Sequence, residues 1–161
     1  MSIKNHRKIN QSRRLPASGV HLEENGSAIV LVTACTRNRA RWLASREVHD
    51  GLVDVWRRAS HWLVGHYVIL PDHVHFFASP GSIEPESTLE AWARYWKSQL
   101  TRQLGNRGSE RRWLPGIWDT RLRKEDGYES AWQYVRANPV RHGLAAEADG
   151  WEYQGKIHDL A

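Results

Sequence analysis

The chain has 161 residues, of which 40% are hydrophobic and 25% charged, a balance that supports one packed domain and excludes a broadly disordered chain. A single cysteine, Cys35, excludes an internal disulfide framework and a zinc site built mainly on thiolates. The longest apolar runs are too short to cross a bilayer, and the polar, basic first residues carry no apolar stretch of the secretory type. A cytoplasmic protein without a membrane role is expected.

The formal net charge is +5, and its distribution is uneven. Residues 1–22 hold Lys4, Arg7, Lys8, Arg13 and Arg14 and no acidic side chain. Residues 94–124 set nine basic side chains against only Glu110 and Asp119. Two such tracts suit a polyanion, because each neutralised phosphate releases counterions; the alternative is a merely solvated basic surface. Nine tryptophans could stack on nucleic-acid bases or fill the core.

Residues 1–27, punctuated by Pro16, Gly19 and Gly26, read as a basic arm preceding one domain over 28–161. The β-branched run at 28–36 predicts a buried strand, followed by a basic loop at 37–41. Apolar residues at spacings of three and four predict a helix over 46–62. Strands are predicted at 64–70 and 73–79, joined by a Pro71-Asp72 turn into a hairpin, and a second helix at 88–104. The stripe of that helix contains Trp92 and Trp96, which places them in the core, and leaves Arg94, Lys97, Ser98, Thr101 and Arg102 on other faces as phosphate-contact candidates. A fourth strand over 113–123 and a third helix over 128–137 complete the series. Strand, helix, strand, strand, helix, strand is the split βαβ order, an α+β, ferredoxin-like or RRM-like antiparallel sheet with helices on one face.

His73-Val74-His75 is the sharpest local feature. Side chains two apart on a strand share a face, so both imidazoles project together, with Phe77, while Val74, Phe76 and Ala78 face the other way. Such a pair can ligate a divalent metal; the alternative is a half-exposed strand with two ordinary histidines. Tyr134 and Asn138 lie four apart, on one face of a helix, and could present a phenol and an amide oxygen to a common point. The alternatives are a core tyrosine, and an Asn138-Pro139 step that opens a short new helix ending near Gly143. Together the four residues suggest covalent catalysis by a tyrosine at a metal-polarised phosphodiester. Of the other tyrosines, Tyr67, Tyr95, Tyr128 and Tyr153, none has a matching partner four residues on. Asp72 reads as a turn residue, the alternative being a carboxylate that orients the neighbouring histidine.

These segments resemble a known family. YVILPDHVHFFASP resembles the His-hydrophobic-His core of the HUH single-strand endonucleases, and GIWDTRLRKEDGYESAWQYVRANPVRHGL is similar to the tyrosine-bearing part of the REP-associated tyrosine transposases. VTACTRNRARWLA resembles that family's first strand and loop, so the likeness spans roughly residues 28–145. It implies a ferredoxin-like palm, His73 and His75 as metal ligands, Tyr134 as nucleophile and Asn138 as a third ligand. It further implies Mg²⁺- or Mn²⁺-dependent nicking and rejoining of single-stranded DNA beside a hairpin, through a 5′-phosphotyrosine, by a nucleoid-associated monomer or homodimer. Thr120 and His142 depart from the family pattern, which bears on DNA specificity more than on catalysis. Arg7, Lys8, Arg13 and Arg14 of the arm and Arg37 and Arg39 of the first loop are expected to contact DNA. The same expectation covers Arg94, Lys97 and Arg102 on the second helix, and Arg111, Arg112, Arg121 and Arg123 beyond it. Two other classes remain: a domesticated hairpin DNA- or RNA-binding protein without turnover, and a metal-dependent hydrolase that uses water.

Overall fold

The computed structural model describes residues 28–82, 86–105, 110–123 and 127–160; the basic arm, with Arg7, Lys8, Arg13 and Arg14, lies outside the described residues, as do Arg107 and Lys124. Strand β1 (Val30–Cys35) leads through a turn of 3-10 helix (Arg37–Arg39) to helix α1 (Arg46–Arg58). The hairpin β2 (Trp62–Ile69) and β3 (His73–Pro80) follows, then α2 (Leu89–Leu104), β4 (Trp118–Arg121), α3 (Tyr128–Arg136), the short α4 (Asn138–Arg141) and β5 (Gln154–Lys156). The strands form one antiparallel sheet in the order β4-β1-β3-β2-β5. This is the α+β palm expected from the order of elements.

The helices of the split βαβ core lie together on one face. Val48, Leu52, Val55 and Trp56 of α1 and Leu89, Trp92, Trp96 and Leu100 of α2 pack against Val30, Val32, Val74, Phe76 and Ala78 of the sheet. Ser45 caps α1 by accepting the Val48 N–H at 3.2 Å, and Thr88 caps α2 through the Ala91 N–H at 3.1 Å, each supplying an acceptor to an otherwise unpaired helical donor. Trp92 and Trp96 are buried, as their positions on the stripe imply. A second, smaller cluster covers the opposite face, where Trp132 and Val135 of α3 meet Val68, Phe77 and Leu160.

Three boundaries differ from the sequence reading. Helix α1 ends at Arg58, not at residue 62: Trp62 belongs to β2 and reaches the same core from a strand, its Nε1–H bonded to the Ser87 carbonyl at 2.9 Å. Strand β4 is four residues long because the buried Lys97 ammonium draws the Leu114 and Gly116 carbonyls inward, at 3.1 and 2.5 Å, away from strand pairing. Strand β5, a Gln-Gly-Lys segment along the edge of β2, has no apolar alternation and was not expected.

A bulge in β2 anchors α3. The register of β2 on β3 shifts between Val64 and Tyr67, and the His66 N–H freed there donates to the Tyr128 hydroxyl at 2.8 Å. Gly65 leaves room for this: a Cβ at that position would collide with the Tyr128 hydroxyl and approach Leu160 Cδ1 to 2.7 Å. Gly65→Ala is therefore expected to destabilise the fold by about 1–3 kcal/mol through overpacking, read as a lower urea midpoint; an unchanged midpoint would show that α3 is anchored otherwise.

Candidate active site

The site begins with the two-residue period of β3. Register pairs His75 with Thr33 and Val68, and His73 with Cys35, so both imidazoles lie on the face that α3 covers. Their rings approach edge to face with centroids 4.8 Å apart. Each Nδ1 is held by a neighbour: His73 by Asp72 Oδ1 at 2.7 Å, His75 by Thr33 Oγ1 at 2.8 Å. With Nδ1–H donating to those oxygens, each ring is held in one tautomer and one orientation, as outer hydrogen bonds do for ligating histidines.

Electrostatics favour neutral His73. Burial pulls its pKa below the ordinary histidine range, and the hydrogen bond and charge of Asp72 offset that only in part. Burial also works against ionisation of Asp72, but the bond with His73 and the nearby Arg39 outweigh it and hold the carboxyl below its usual range. Arg39 stands 3.7 Å from Asp72 and donates to Cys35 Sγ at 3.2 Å. It occupies left-handed backbone, as does Asn38 (φ 55° and 57°), a conformation that costs a non-glycine residue free energy and here turns the guanidinium back toward the site.

The remaining groups come from α3 and α4. Trp132 stacks on His66 with centroids 4.4 Å apart and planes at 11°, and with Val135 seats α3 on the histidine face. Tyr134 is 57% exposed and does not point into the core; the Arg141 guanidinium lies over its ring, 4.3 Å from the centroid. Asn138 is buried, opening α4 rather than capping it, with Ala137 as the cap. Its Nδ2 donates to the Val135 carbonyl at 2.8 Å, which leaves Oδ1 as the acceptor. His142, at the end of α4, brings its ring 5.9 Å from that of His73. The structure thus gathers His73, His75 and His142 and the side chains that orient them; Tyr134 is not among the rings in contact with this cluster.

Sequence reasoning set His142 aside as a matter of DNA specificity, whereas its ring meets that of His73; Asp72, read as a turn residue, takes the alternative role of orienting His73. Thr33 is 42 residues from His75 in the chain, and only the β1–β3 register joins them. Trp118 and Thr120 of β4 pair with Thr33 and Leu31 and so share the histidine face.

The basic residues divide into groups. The Arg37 N–H donates to the Arg112 carbonyl at 2.9 Å, which joins two exposed arginines at the His73 end of β1. Arg94 and Arg102 are exposed on α2, which covers the opposite face of the sheet. Arg121, in register with Val30, and Arg123 lie at the far end from His73. Lys97 is corrected from a phosphate contact to a structural residue: it is 7% exposed, and burial lowers its pKa to about 8. Arg111 is held by Glu47 at 3.5 Å with its side chain 21% exposed, so it too serves the fold more than the surface.

The two tethered imidazoles on one strand have the donor chemistry that suits a divalent cation. Among the described residues no group of three or more His, Cys, Asp or Glu side chains is placed to hold one together. No helix among them is long and apolar enough to cross a membrane.

The fold is an antiparallel palm with paired histidines on its central strand and a tyrosine-bearing helix packed on the same face. No protein-family model matches the chain. The REP-associated tyrosine transposase of Escherichia coli K12 is 27% identical over 96 residues, covering 59% of this chain and 54% of the relative. A Haemophilus influenzae Rd protein provisionally given the same name is 28% identical over 103 residues, 57% of each chain. The chain thus spans a little over half the length of these curated relatives. A solved REP-associated tyrosine transposase bound to a REP hairpin superposes with a TM-score of 0.64 at 21% identity, over 80% of this chain and 76% of that one. A candidate transposase of Deinococcus radiodurans R1 gives 0.50 at 14% identity, over 75% and 93%. The chain is similar in sequence to REP-associated tyrosine transposases and shares their fold.

Because folded Lys97 binds its proton more weakly than the unfolded chain does, its contribution to stability is complete above about pH 10.5 and is lost as pH falls through about 8. Urea unfolding of Lys97→Met should lack a stabilisation on the order of 2–3 kcal/mol that the native chain gains between those values; parallel profiles would contradict the burial of the ammonium.

Proposed function

We propose that the chain is a metal-dependent single-strand DNA endonuclease and strand-transferase that nicks and rejoins DNA beside a hairpin through a covalent 5′-phosphotyrosine on Tyr134. The observation that supports this reading is the pair of Nδ1-tethered histidines on the sheet face against which Trp132 and Val135 pack α3, the helix that carries the exposed Tyr134. His73, His75 and the Asn138 oxygen would hold Mg²⁺ or Mn²⁺, which would supply charge neutralisation at the scissile phosphate.

The chain's own residues account for the rest. Asp72 and Thr33 fix the two rings. Tyr134, in solvent on α3, is accessible to a strand laid along the histidine face. Its Oη forms a bond to phosphorus as the P–O3′ bond breaks; the phenol loses its proton and the departing 3′-oxygen gains one. The bond energy is retained in the phosphotyrosine, so a 3′-OH can attack it and restore the phosphodiester, which hydrolysis by water would not permit. A phenol with a reference pKa near 10 is a weak nucleophile, and the site must compensate by positioning.

Arg37 and Arg112 give the DNA backbone two exposed charges at the histidine end of the sheet, and the solved relative with this fold is bound to a REP hairpin. A nucleoid location follows from such a substrate. With α3 packed on the histidine face of its own chain, this reading has the nucleophile act in cis, whether the protein is a monomer or a homodimer.

End-labelled hairpin oligonucleotide with Mn²⁺ should yield a protein-linked band that Tyr134→Phe abolishes while hairpin binding persists. Cleavage surviving in that variant would indicate hydrolysis by water, and binding without cleavage under any metal would indicate a binding protein. Asp72→Asn should weaken Mn²⁺ affinity by roughly 10–100-fold, the usual effect of removing a carboxylate that orients a ligating histidine, measured by titration calorimetry; unchanged affinity would show that Asp72 only shapes the turn.

A further inference from the structure

The tyrosine-bearing segment repeats polar groups at one spacing. Tyr134, Asn138, Arg141 and His142 stand at positions i, i+4, i+7 and i+8, which share one face of a helix; the Arg141 and His142 N–H groups donate to the Ala137 and Asn138 carbonyls at 3.0 and 2.9 Å, and Arg141 meets Tyr134 across the α3–α4 junction. One end of this stripe carries the exposed phenol. The other reaches His73 through the His142 ring. Arg141 lies between them in order.

The Arg141 side chain has two surfaces. Its face covers the Tyr134 ring at 4.3 Å, a cation–π contact that restricts the phenol's rotation. Its edge of N–H donors has no carboxylate within ion-pair distance among the described residues. The contrast with its neighbours is sharp: Arg136 pairs with Asp149, Arg39 with Asp72, Arg58 with Asp54 and Arg111 with Glu47. An exposed guanidinium, stacked on the nucleophile with its donor edge open, matches the planar, bidentate geometry with which arginine grips phosphate.

We infer that Arg141 is a phosphate-binding residue of the site, gripping the non-bridging oxygens of the scissile phosphodiester while its guanidinium face holds the Tyr134 ring. The inference rests on the covalent reading above. In the step Tyr134 Oη bonds to phosphorus, the P–O3′ bond breaks and the 3′-oxygen is protonated; Arg141 forms no covalent bond and stabilises the charge carried by the equatorial oxygens.

The test compares single-turnover adduct formation by the full chain and Arg141→Ala on a labelled hairpin oligonucleotide with Mn²⁺, using a normal scissile phosphate or a neutral methylphosphonate there. On the phosphate, Arg141→Ala should slow the adduct on the order of 100-fold, as loss of one charge-stabilising donor does elsewhere. On the methylphosphonate, the difference between the two proteins should shrink to about threefold or less, because the charge that Arg141 reads has been removed. Arg141→Lys should not restore the rate, since an ammonium neither stacks nor forks. Arg141→Gln serves where the alanine variant melts at lower temperature than the parent. Adduct formation by Arg141→Ala at the parental rate would overturn the inference, as would an equal loss on both substrates, which marks a structural role. Failure of the parent chain to form any Tyr134-dependent adduct would instead remove the covalent reading itself, and the inference with it.

Discussion

The alternation of β3 is the constraint on which the structure turns. One set of its side chains, Val74, Phe76 and Ala78, closes the core beneath α1 and α2, and the other, His73, His75 and Phe77, faces α3. A shift of one residue would turn the two imidazoles into the aromatic core beneath α1 and α2 and move Phe76 to the face that α3 covers. Pairing with β1 on one side and β2 on the other fixes the register twice, so the same hydrogen bonds that hold the sheet together also hold the two rings in place. Trp56, Trp92 and Trp96, all against Phe76, make the alternative register costly.

Polar contacts around the histidines extend that rigidity. Thr33 and Asp72 each hold one Nδ1, and Arg39 stands behind Asp72. The loop that carries Arg39 adopts left-handed backbone at two successive non-glycine residues, a strained turn next to a pair of metal-ligand candidates. On the far side of the sheet, Lys97 and Arg111 have been drawn into the packing of the segment before β4. Among the described residues these two cations therefore add little to the basic surface, while Arg37 and Arg112 are exposed at the site end.

Much of this was legible in the sequence, and for physical reasons. Apolar spacing revealed α1 and α2, the Pro71-Asp72 turn revealed the hairpin, and the period of two placed both histidines on one face. The helix stripe correctly assigned Trp92 and Trp96 to the core. Lys97 was misread because a helical stripe identifies only the apolar face, and a long side chain beside it can reach inward when carbonyls wait there. Strand β5 has no hydrophobic signal because it only adds backbone pairing to the edge of β2. His142 and Thr33 depend on how distant segments dock, which no local spacing records. The Arg141–Tyr134 contact sits at a spacing of seven, visible in the sequence once the helix face is known to continue past Pro139.

The central claim is that His73 and His75 hold a cation where Tyr134 of the same chain meets a DNA phosphate. Anomalous scattering from crystals of the protein with Mn²⁺ and a hairpin oligonucleotide tests it most directly. The account predicts a manganese peak at His73 and His75, with the scissile phosphate at that site and met by Tyr134 of the same chain. A peak elsewhere, or a phosphate met by a different tyrosine, would contradict it.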